Sequence, residues 1–344
     1  MKYVISVILG DGIGPAVVQA TLRVLEKLAT NFSLNLDFRH VEAGDATRTR
    51  YGVALPDESY KRISSSNACL KGPIGESAKQ VVIPLRQRFD LYANIRPAFT
   101  LPNIPPIQDD VDLVIVRENT EDLYKGIEDR TDEYAFGVRV VTRRASTRIA
   151  KIAYNLAMRR RRKVTIVHKA NVMLACGLFS ECCREAGRGY PNVETEEMYV
   201  DNAAYQLVKN PRRFDVILTT NLFGDILSDE AAGVVGSLGT SPSMNVGDTF
   251  GIFEPVHGSA PDLPKAAGNP LATIMSARFM LDWLAEKHND NVLEQASRRL
   301  WDAVLETLRK RKALTRDLGG ESMTAEVAEA VIEEIDKANR ARSI

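Results

Sequence analysis

Short β-branched runs and longer stretches of helical period alternate along almost the whole chain. That alternation commits it to helices packed on a largely parallel or mixed sheet, an α/β protein. Residues 3–9 form a β-prone apolar run. In the following 15–29 stretch Val18, Leu22, Leu25 and Leu28 recur at helical spacing, with Pro15 suited to a first helical turn. Residues 34–41 alternate as a strand, and 113–117, 164–167 and 216–219 read as further strands, each leading into a helical stretch. One segment breaks the rhythm. Residues 125–142 carry two short β-prone runs around Arg130-Thr131-Asp132-Glu133 and read as a projecting hairpin, whereas 271 to about 338 is mostly helical. A chain of 344 residues is long for one compact domain, so two lobes around a cleft are expected.

Charge narrows the function classes. Lys+Arg and Asp+Glu both number 45, which leaves no whole-molecule field to attract nucleic acid or an acidic membrane surface. The densest basic run, Arg159-Arg160-Arg161-Arg162-Lys163, falls where a helix ends before the strand at 164–167, a position that favours cations through the helix dipole. No apolar run approaches the ~20 residues of a membrane span, and no targeting segment is expected ahead of the first strand. Cys69, Cys176, Cys182 and Cys183 show neither CxxC spacing nor a paired framework, so they read as reduced thiols in a cytoplasmic protein.

Several constellations could carry chemistry. Gly10-Asp11-Gly12-Ile13-Gly14-Pro15 joins a strand to a helix but is not the dinucleotide fingerprint, since the third glycine of GxGxxG would fall at Pro15. Arginines cluster at Arg86, Arg88 and Arg96, with Arg117 beyond. Guanidinium forks bind carboxylates bidentately, so a convergent set suits a substrate with two carboxylates. Arg96 and Arg117 stand out because both fall at apparent strand ends, where α/β proteins open their clefts. Asp225 and Asp229 are four apart, hence on one helix face, where a hard divalent cation would relieve their repulsion; a solvated helix face is the plain alternative. Lys169 follows a strand and could serve as a base or simply reach out of a turn. Tyr124, seven residues after Arg117, could donate a proton or only pack. His168 and His257 have no second His or Cys at zinc spacing.

Together these motifs resemble the β-decarboxylating dehydrogenases, the isocitrate and isopropylmalate dehydrogenase family, nearly end to end. The matching stretches are 10–15, 85–97, 116–124, 169–172, 199–201, 221–229, 253–262 and 317–320, in the family's order. The resemblance implies a two-lobed mixed-sheet fold that is not a Rossmann domain. A cofactor-binding lobe would comprise 1–95 and 238–344, and a substrate, metal and dimerisation lobe 96–237, with an arm at about 125–142. It further implies a homodimer, with pairing into tetramers left open, whose two subunits share each active site. Arg86, Arg96 and Arg117 would grip substrate carboxylates. Asp225 and Asp229, with Asp201 of the other subunit, would hold Mg²⁺ or Mn²⁺. Lys169, also from the partner, would take the hydroxyl proton and Tyr124 would reprotonate the product. Ile13, His257, Gly258, Ser259, Ala260, Asp262 and Asn269 fall where the family binds its cofactor, expected to be NAD because Asp262 stands where NADP-using relatives carry a lysine. The chain departs from the pattern at Ala16, where Glu is usual, at Arg316, where Pro is usual, and in a short 72–78 loop.

Within the family, the residues before Arg86 choose the substrate. Isocitrate-specific members place Ser and Asn six and four positions before that arginine; here Gln80 and Val82 stand there, followed by Ile83. An apolar pair suits an isopropyl group, so oxidative decarboxylation of 3-isopropylmalate in leucine biosynthesis is expected. Homoisocitrate, isocitrate or several substrates are the alternatives. A metal-dependent phosphoryl-transfer enzyme is the rival from another class, but the chain lacks GxxxxGK[ST].

Overall fold

The computed structural model describes residues 1–341, so the last three residues of the expected 238–344 segment lie outside it. β1 (Lys2–Ile8) leads into α1 (Gly14–Phe32), β2 (Asn35–His40), the short helices α2 (Asp45–Tyr51) and α3 (Asp57–Ser64), then β3 (Ala68–Lys71), α4 (Ala78–Arg88) and β4 (Ala93–Phe99). Next come β5 (Asp112–Glu118), the hairpin strands β6 (Glu128–Arg130) and β7 (Ala135–Gly137), α5 (Arg143–Met158), β8 (Lys163–His168), α6 (Leu174–Gly187), β9 (Glu194–Tyr199) and α7 (Val200–Lys209). β10 (Val216–Thr219), α8 (Asn221–Val235), β11 (Pro242–Val246), β12 (Gly251–Pro255) and the helices α9 (Leu271–His288), α10 (Asn291–Arg309) and α11 (Thr324–Ala341) complete the chain.

Ten strands form one mixed sheet in the order β2-β1-β3-β12-β11-β4-β5-β10-β8-β9. Two parallel blocks, β2-β1-β3-β12 and β5-β10-β8-β9, are joined by antiparallel pairings through β11 and β4. The inner parallel strands β3, β5, β8, β10 and β12 are buried on both faces along nearly all their length, which is why 113–117, 164–167 and 216–219 read as apolar runs. The edge strands β2 and β9 are instead largely exposed or half-buried. β3 lies between β1 and β12, with Cys69 beside Ser6 on one side and Ile252 on the other. The antiparallel centre was not read from the sequence: β11 and β12 are only five residues long, and Asn94, Arg96, Ser243, Asn245 and Glu254 interrupt the continuous apolar runs that mark the inner parallel strands.

α1 buries Val17, Val18, Leu22, Leu25 and Leu28 along one face, starts with Pro15 in its first turn and ends at Ser33 in a left-handed conformation. The 125–142 hairpin projects as expected, its two strands wholly exposed. All four cysteines are buried and free. The basic run after α5 is spent on ion pairs, Arg159 to Glu286, Arg160 to Asp112 and Asp215, Lys163 to Glu194 and Glu196. Among the described residues no helix is long and apolar enough to cross a membrane.

α11 is pinned on α1 and α10 partly through Glu334, whose buried carboxylate meets Lys310 at 2.8 Å, Lys337 at 2.9 Å and Lys312 at 3.0 Å. Burial opposes its charge, but the three ammonium groups outweigh it and bring the carboxyl from 4.5 to about 2. A folded-state value below the unfolded one stabilises above the unfolded value, and that contribution is lost as pH falls through the folded one. Glu334→Gln should therefore cost about 1–2 kcal/mol at neutral pH, a magnitude tempered by solvent around the lysines. Its urea midpoint should also fall less steeply than the parent's between pH 4.5 and about 2. Parallel midpoint curves for the two proteins would contradict this.

Candidate active site

Arg117 sits next to last in β5 and is 1% exposed. A guanidinium keeps its charge in a protein, so burying it demands partners on every N–H that faces inward. α8 supplies them one turn apart. Asn221 Oδ1 accepts from Arg117 Nε at 2.9 Å and Nη2 at 2.6 Å, and Asp225 Oδ1 accepts from Nη1 at 2.5 Å. The arginine stem lies against Gly224, where an added Cβ would stand 2.6 Å from Arg117 Cγ. Arg96 occupies the middle of β4, not a strand end as the sequence suggested. The antiparallel β4–β5 ladder explains the difference: Arg96 opposes Ile115 and Asn94 opposes Arg117, so the two arginines are diagonal neighbours on one face. Arg96 Nη1 donates to Ser228 Oγ at 2.7 Å and lies 3.1 Å from Asp225 Oδ1 and 3.5 Å from Asp229 Oδ1. Arg86, near the end of α4, approaches Glu254 at 3.8 Å.

Arg96 and Arg117 thus crowd Asp225, while Arg86 stands nearby against Glu254. Burial first, then the charges of Arg96 and Arg86, pushes Arg117 below the ordinary guanidinium range, and burial does the same to Arg86. Burial also opposes ionisation of Asp225, but Arg117 and Arg96 outweigh it and hold its carboxyl below the usual range. Asp229, farther from the cations, is instead pushed up by burial. The Nε atoms of Arg86 and Arg96 are buried without a hydrogen-bond partner among the described residues. Such unspent donors fit an anion.

A cavity of about 440 Å³ opens beside this cluster. Val82 and Ile83 form an apolar wall facing Arg86, Arg117, Tyr124 and Asp225, with Ala78, Leu123, Gly126 and Leu222 around them. Lys79 on α4 pairs with Glu128 on the hairpin at its edge, whereas Gln80 is exposed and outside the lining. Tyr124 sits on a 3₁₀ turn, Leu123–Lys125, and its hydroxyl donates to Asp225 Oδ2. Burial, then that carboxylate, raises the phenol above its ordinary value and keeps it protonated.

The remaining expected residues lie elsewhere. Lys169, just past β8, and Asp201, in the first turn of α7, pair with each other at 2.5 Å and do not line the cavity. Among the described residues no three His, Cys, Asp or Glu side chains gather as a metal site. Asp225 and Asp229 alone offer oxygen ligands a turn apart on α8, a donor set that fits a divalent cation whose other ligands come from substrate, water or a second chain. A second set of loops meets at α1. Ile13 is buried, and its N–H donates to Ser259 O at 3.0 Å. Gly12 lies so close to the same loop that an added Cβ would be 2.0 Å from Ser259 O. Gly258 is exposed there, Ala260 has a φ of 45°, and Asp262 is exposed to solvent. Burial lowers the His257 imidazole below its ordinary value, leaving a neutral ring whose Nε2 is buried without a partner among the described residues. Asn269 is committed to the fold. It donates to Asp317 Oδ2 at 3.0 Å and accepts from Leu271 N at 3.0 Å at the start of α9.

Sequence reasoning missed the residues behind the arginines. Lys71 and Glu254 form a buried ion pair, and Asn245 donates to Glu254 Oε1 at 2.7 Å. Glu254 lay in a recognised motif with no role attached. Asn221 was findable, since it precedes Asp225 by four and so shares its helix face.

Residues 4–332 match the isocitrate/isopropylmalate dehydrogenase family. A 3-isopropylmalate dehydrogenase of Sulfurisphaera tokodaii is 51% identical, over 94% of this chain and 96% of that one. An isocitrate/homoisocitrate dehydrogenase of Thermus thermophilus is 47% identical, over 97% and 98%. The crystal structure of isocitrate dehydrogenase from Methylococcus capsulatus superposes with a TM-score of 0.89 at 42% identity, covering 97% of this chain and 99% of that one.

The Arg117–Gly224 contact makes a direct test. Gly224→Ala should displace the arginine stem and cost about 1–3 kcal/mol by denaturant unfolding, as overpacking does. An unchanged midpoint would mean that the stem moves aside freely.

Proposed function

The chain belongs to the isocitrate/isopropylmalate dehydrogenase family, and on that premise we propose that it catalyses the NAD-dependent oxidative decarboxylation of 3-isopropylmalate to 4-methyl-2-oxopentanoate and CO₂, a step of leucine biosynthesis. One observation carries the reading: a single cavity sets the apolar wall of Val82 and Ile83 against convergent guanidiniums. A substrate with a branched alkyl group and two carboxylates matches both surfaces.

When bound, NAD and Mg²⁺ or Mn²⁺ supply a hydride acceptor and a Lewis acid. Arg86, Arg96 and Arg117 hold the substrate carboxylates, their mutual repulsion relieved as the dianion enters. The partner subunit's Lys169 accepts the hydroxyl proton during oxidation at the carbinol carbon. The resulting β-keto acid loses CO₂, and Tyr124, kept protonated by burial and by Asp225, returns a proton to the enol carbon. Asp225 and Asp229, with the partner subunit's Asp201, are the oxygen ligands. Ile13, His257, Gly258, Ser259, Ala260, Asp262 and Asn269 border the cofactor, where Asp262 accepts from ribose hydroxyls and repels a 2′-phosphate.

Two copies form each pair of active sites. The own-chain pairing of Lys169 with Asp201, away from the cavity, supports this, as do the exposed Tyr134 and Phe136 of the hairpin and Leu174, Tyr205 and Ile226 on α6, α7 and α8. Residues 1–95 and 238–344 make the cofactor lobe and 96–237 the substrate lobe. The chain crosses between them near β4 and before β11. Four unpaired buried thiols suit a reducing cytoplasm.

With NAD and Mg²⁺, NADH formation from 3-isopropylmalate should exceed that from isocitrate or homoisocitrate by about a hundredfold in kcat/KM, about 2.7 kcal/mol. Burying the isopropyl group is worth about 1–3 kcal/mol, and an ionised carboxylate against Val82 and Ile83 meets apolar carbon, the nearest ammonium, Lys79, being taken by Glu128 at the edge. Rates within a few-fold of each other would refute the apolar-wall argument. NAD should be preferred to NADP by at least about tenfold, about 1.4 kcal/mol, and equal use would discard the role of Asp262. Lys169→Met and Asp225→Asn should each be nearly inactive alone. Refolded together they should regain about one working site per mixed dimer, and verified heterodimers without activity would disprove shared sites.

A further inference from the structure

Asp122 is 1% exposed, yet it is not among the residues given a task above. Its backbone has a φ of 66° and ψ of −150°, a region where any side chain is strained by about 1–3 kcal/mol and which persists only where the surroundings enforce it. Here the surroundings enforce it. One carboxylate oxygen accepts from Leu123 N at 2.9 Å and caps the 3₁₀ turn that carries Tyr124. The other accepts from Leu222 N at 3.0 Å, in the first turn of α8, the helix that carries Asp225. Arg139, at the root of the hairpin, closes over both: Nε lies 2.9 Å from Oδ1 and Nη2 donates to Oδ2 at 3.0 Å. Arg139 Nη2 also donates to Thr220 Oγ1 at 2.5 Å, immediately before α8, and its guanidinium lies 4.4 Å from the centre of the Phe223 ring. The Asp122 N–H in turn donates to Val140 O at 2.8 Å, tying the two ends of the hairpin together.

We propose that Asp122, clamped by Arg139, is the positioning residue for proton delivery. It welds the Tyr124 turn to the first turn of α8, so that the phenol is held on Asp225 and over the cavity. The inference rests on the reading of Tyr124 as the proton donor. A side chain aimed for catalysis must be held to well within an ångström, and a turn of three residues does not do that alone. Asp122 satisfies donors on both elements with one buried carboxylate, and the strained backbone is what aims it there. Arg139 neutralises it and carries the same restraint into the hairpin root.

Asp122→Gly tests this cleanly, because glycine tolerates the observed φ and ψ while the carboxylate is removed. Its kcat should fall at least about tenfold while KM for the diacid stays within about threefold, since the three arginines keep their own partners. Arg139→Met should behave alike and Arg139→Lys should recover part of the loss. Asp122→Gly/Tyr124→Phe should be no slower than Tyr124→Phe alone, because the carboxylate acts through the phenol. In enzyme without metal or cofactor, amide exchange across residues 121–126 should speed up at least about tenfold in Asp122→Gly and stay at the parent rate in Tyr124→Phe. A folded Asp122→Gly enzyme with parent kcat, losses that multiply in the double variant, or unchanged exchange would each overturn the proposal. If Asp122→Gly does not accumulate folded, Arg139→Met carries the same comparisons with the carboxylate and backbone in place. A Tyr124→Phe enzyme as fast as the parent overturns both this and the reading beneath it. A slow Tyr124→Phe beside an unimpaired Asp122→Gly overturns this one alone.

Discussion

A guanidinium buried at the end of a central strand must be met by fixed acceptors, and Arg117 is met only because α8 follows β10 into place beside β5. Asn221 and Asp225 supply the acceptors from successive turns, and Gly224 between them supplies the missing volume. The arginine therefore fixes the rotation of α8 about its own axis. With that rotation set, Asp229 faces the same way one turn on, Ser228 meets Arg96, and Tyr124 finds Asp225. One desolvated cation thus organises four elements.

The cost of the arrangement is stored as repulsion. Arg96 and Arg117 share Asp225, Arg86 stands 3.8 Å from Glu254, and buried guanidinium donors remain unused. A core designed for stability alone would replace such a cluster with apolar side chains. Its retention marks the place where an anion is to be received, and the neighbouring apolar wall of Val82 and Ile83 limits which anion fits. Structural and chemical demands separate along the chain as well. Asp317, inside a recognised motif, and Asn269, expected at the cofactor, hold α9 and the Ser237 turn together.

Much of this was legible before any coordinates. The strand and helix periods announced β1, β2, β5, β8 and β10 but not β3 or β9, and the four-residue spacing of Asp225 and Asp229 announced a shared helix face. The centre of the sheet was not legible, because β11 and β12 are short and β4, β11 and β12 carry buried polar groups where the other inner strands are apolar. α4 was masked for a similar reason: it contains Pro84, which breaks helical expectation although it stands only a turn from the C-terminal end. The roles of Lys71, Glu254, Asp122 and Arg139 were illegible for a deeper reason. Each is defined by a partner remote in sequence, and neither spacing nor composition reports a contact that only the closed fold creates.

The pairing of β3 with β12 sets a clock on assembly. Cys69 waits for Ile252, roughly 180 residues later in synthesis, which at ~5–20 residues per second is about 10–40 s. Throughout that interval the ribosome-bound N-terminal third presents an unpaired edge whose residues, Ala68, Cys69 and Leu70, are fully buried in the finished protein. The exposure is longest at slow translation and low temperature. An apolar strand edge must therefore be kept from pairing elsewhere until β12 has been made.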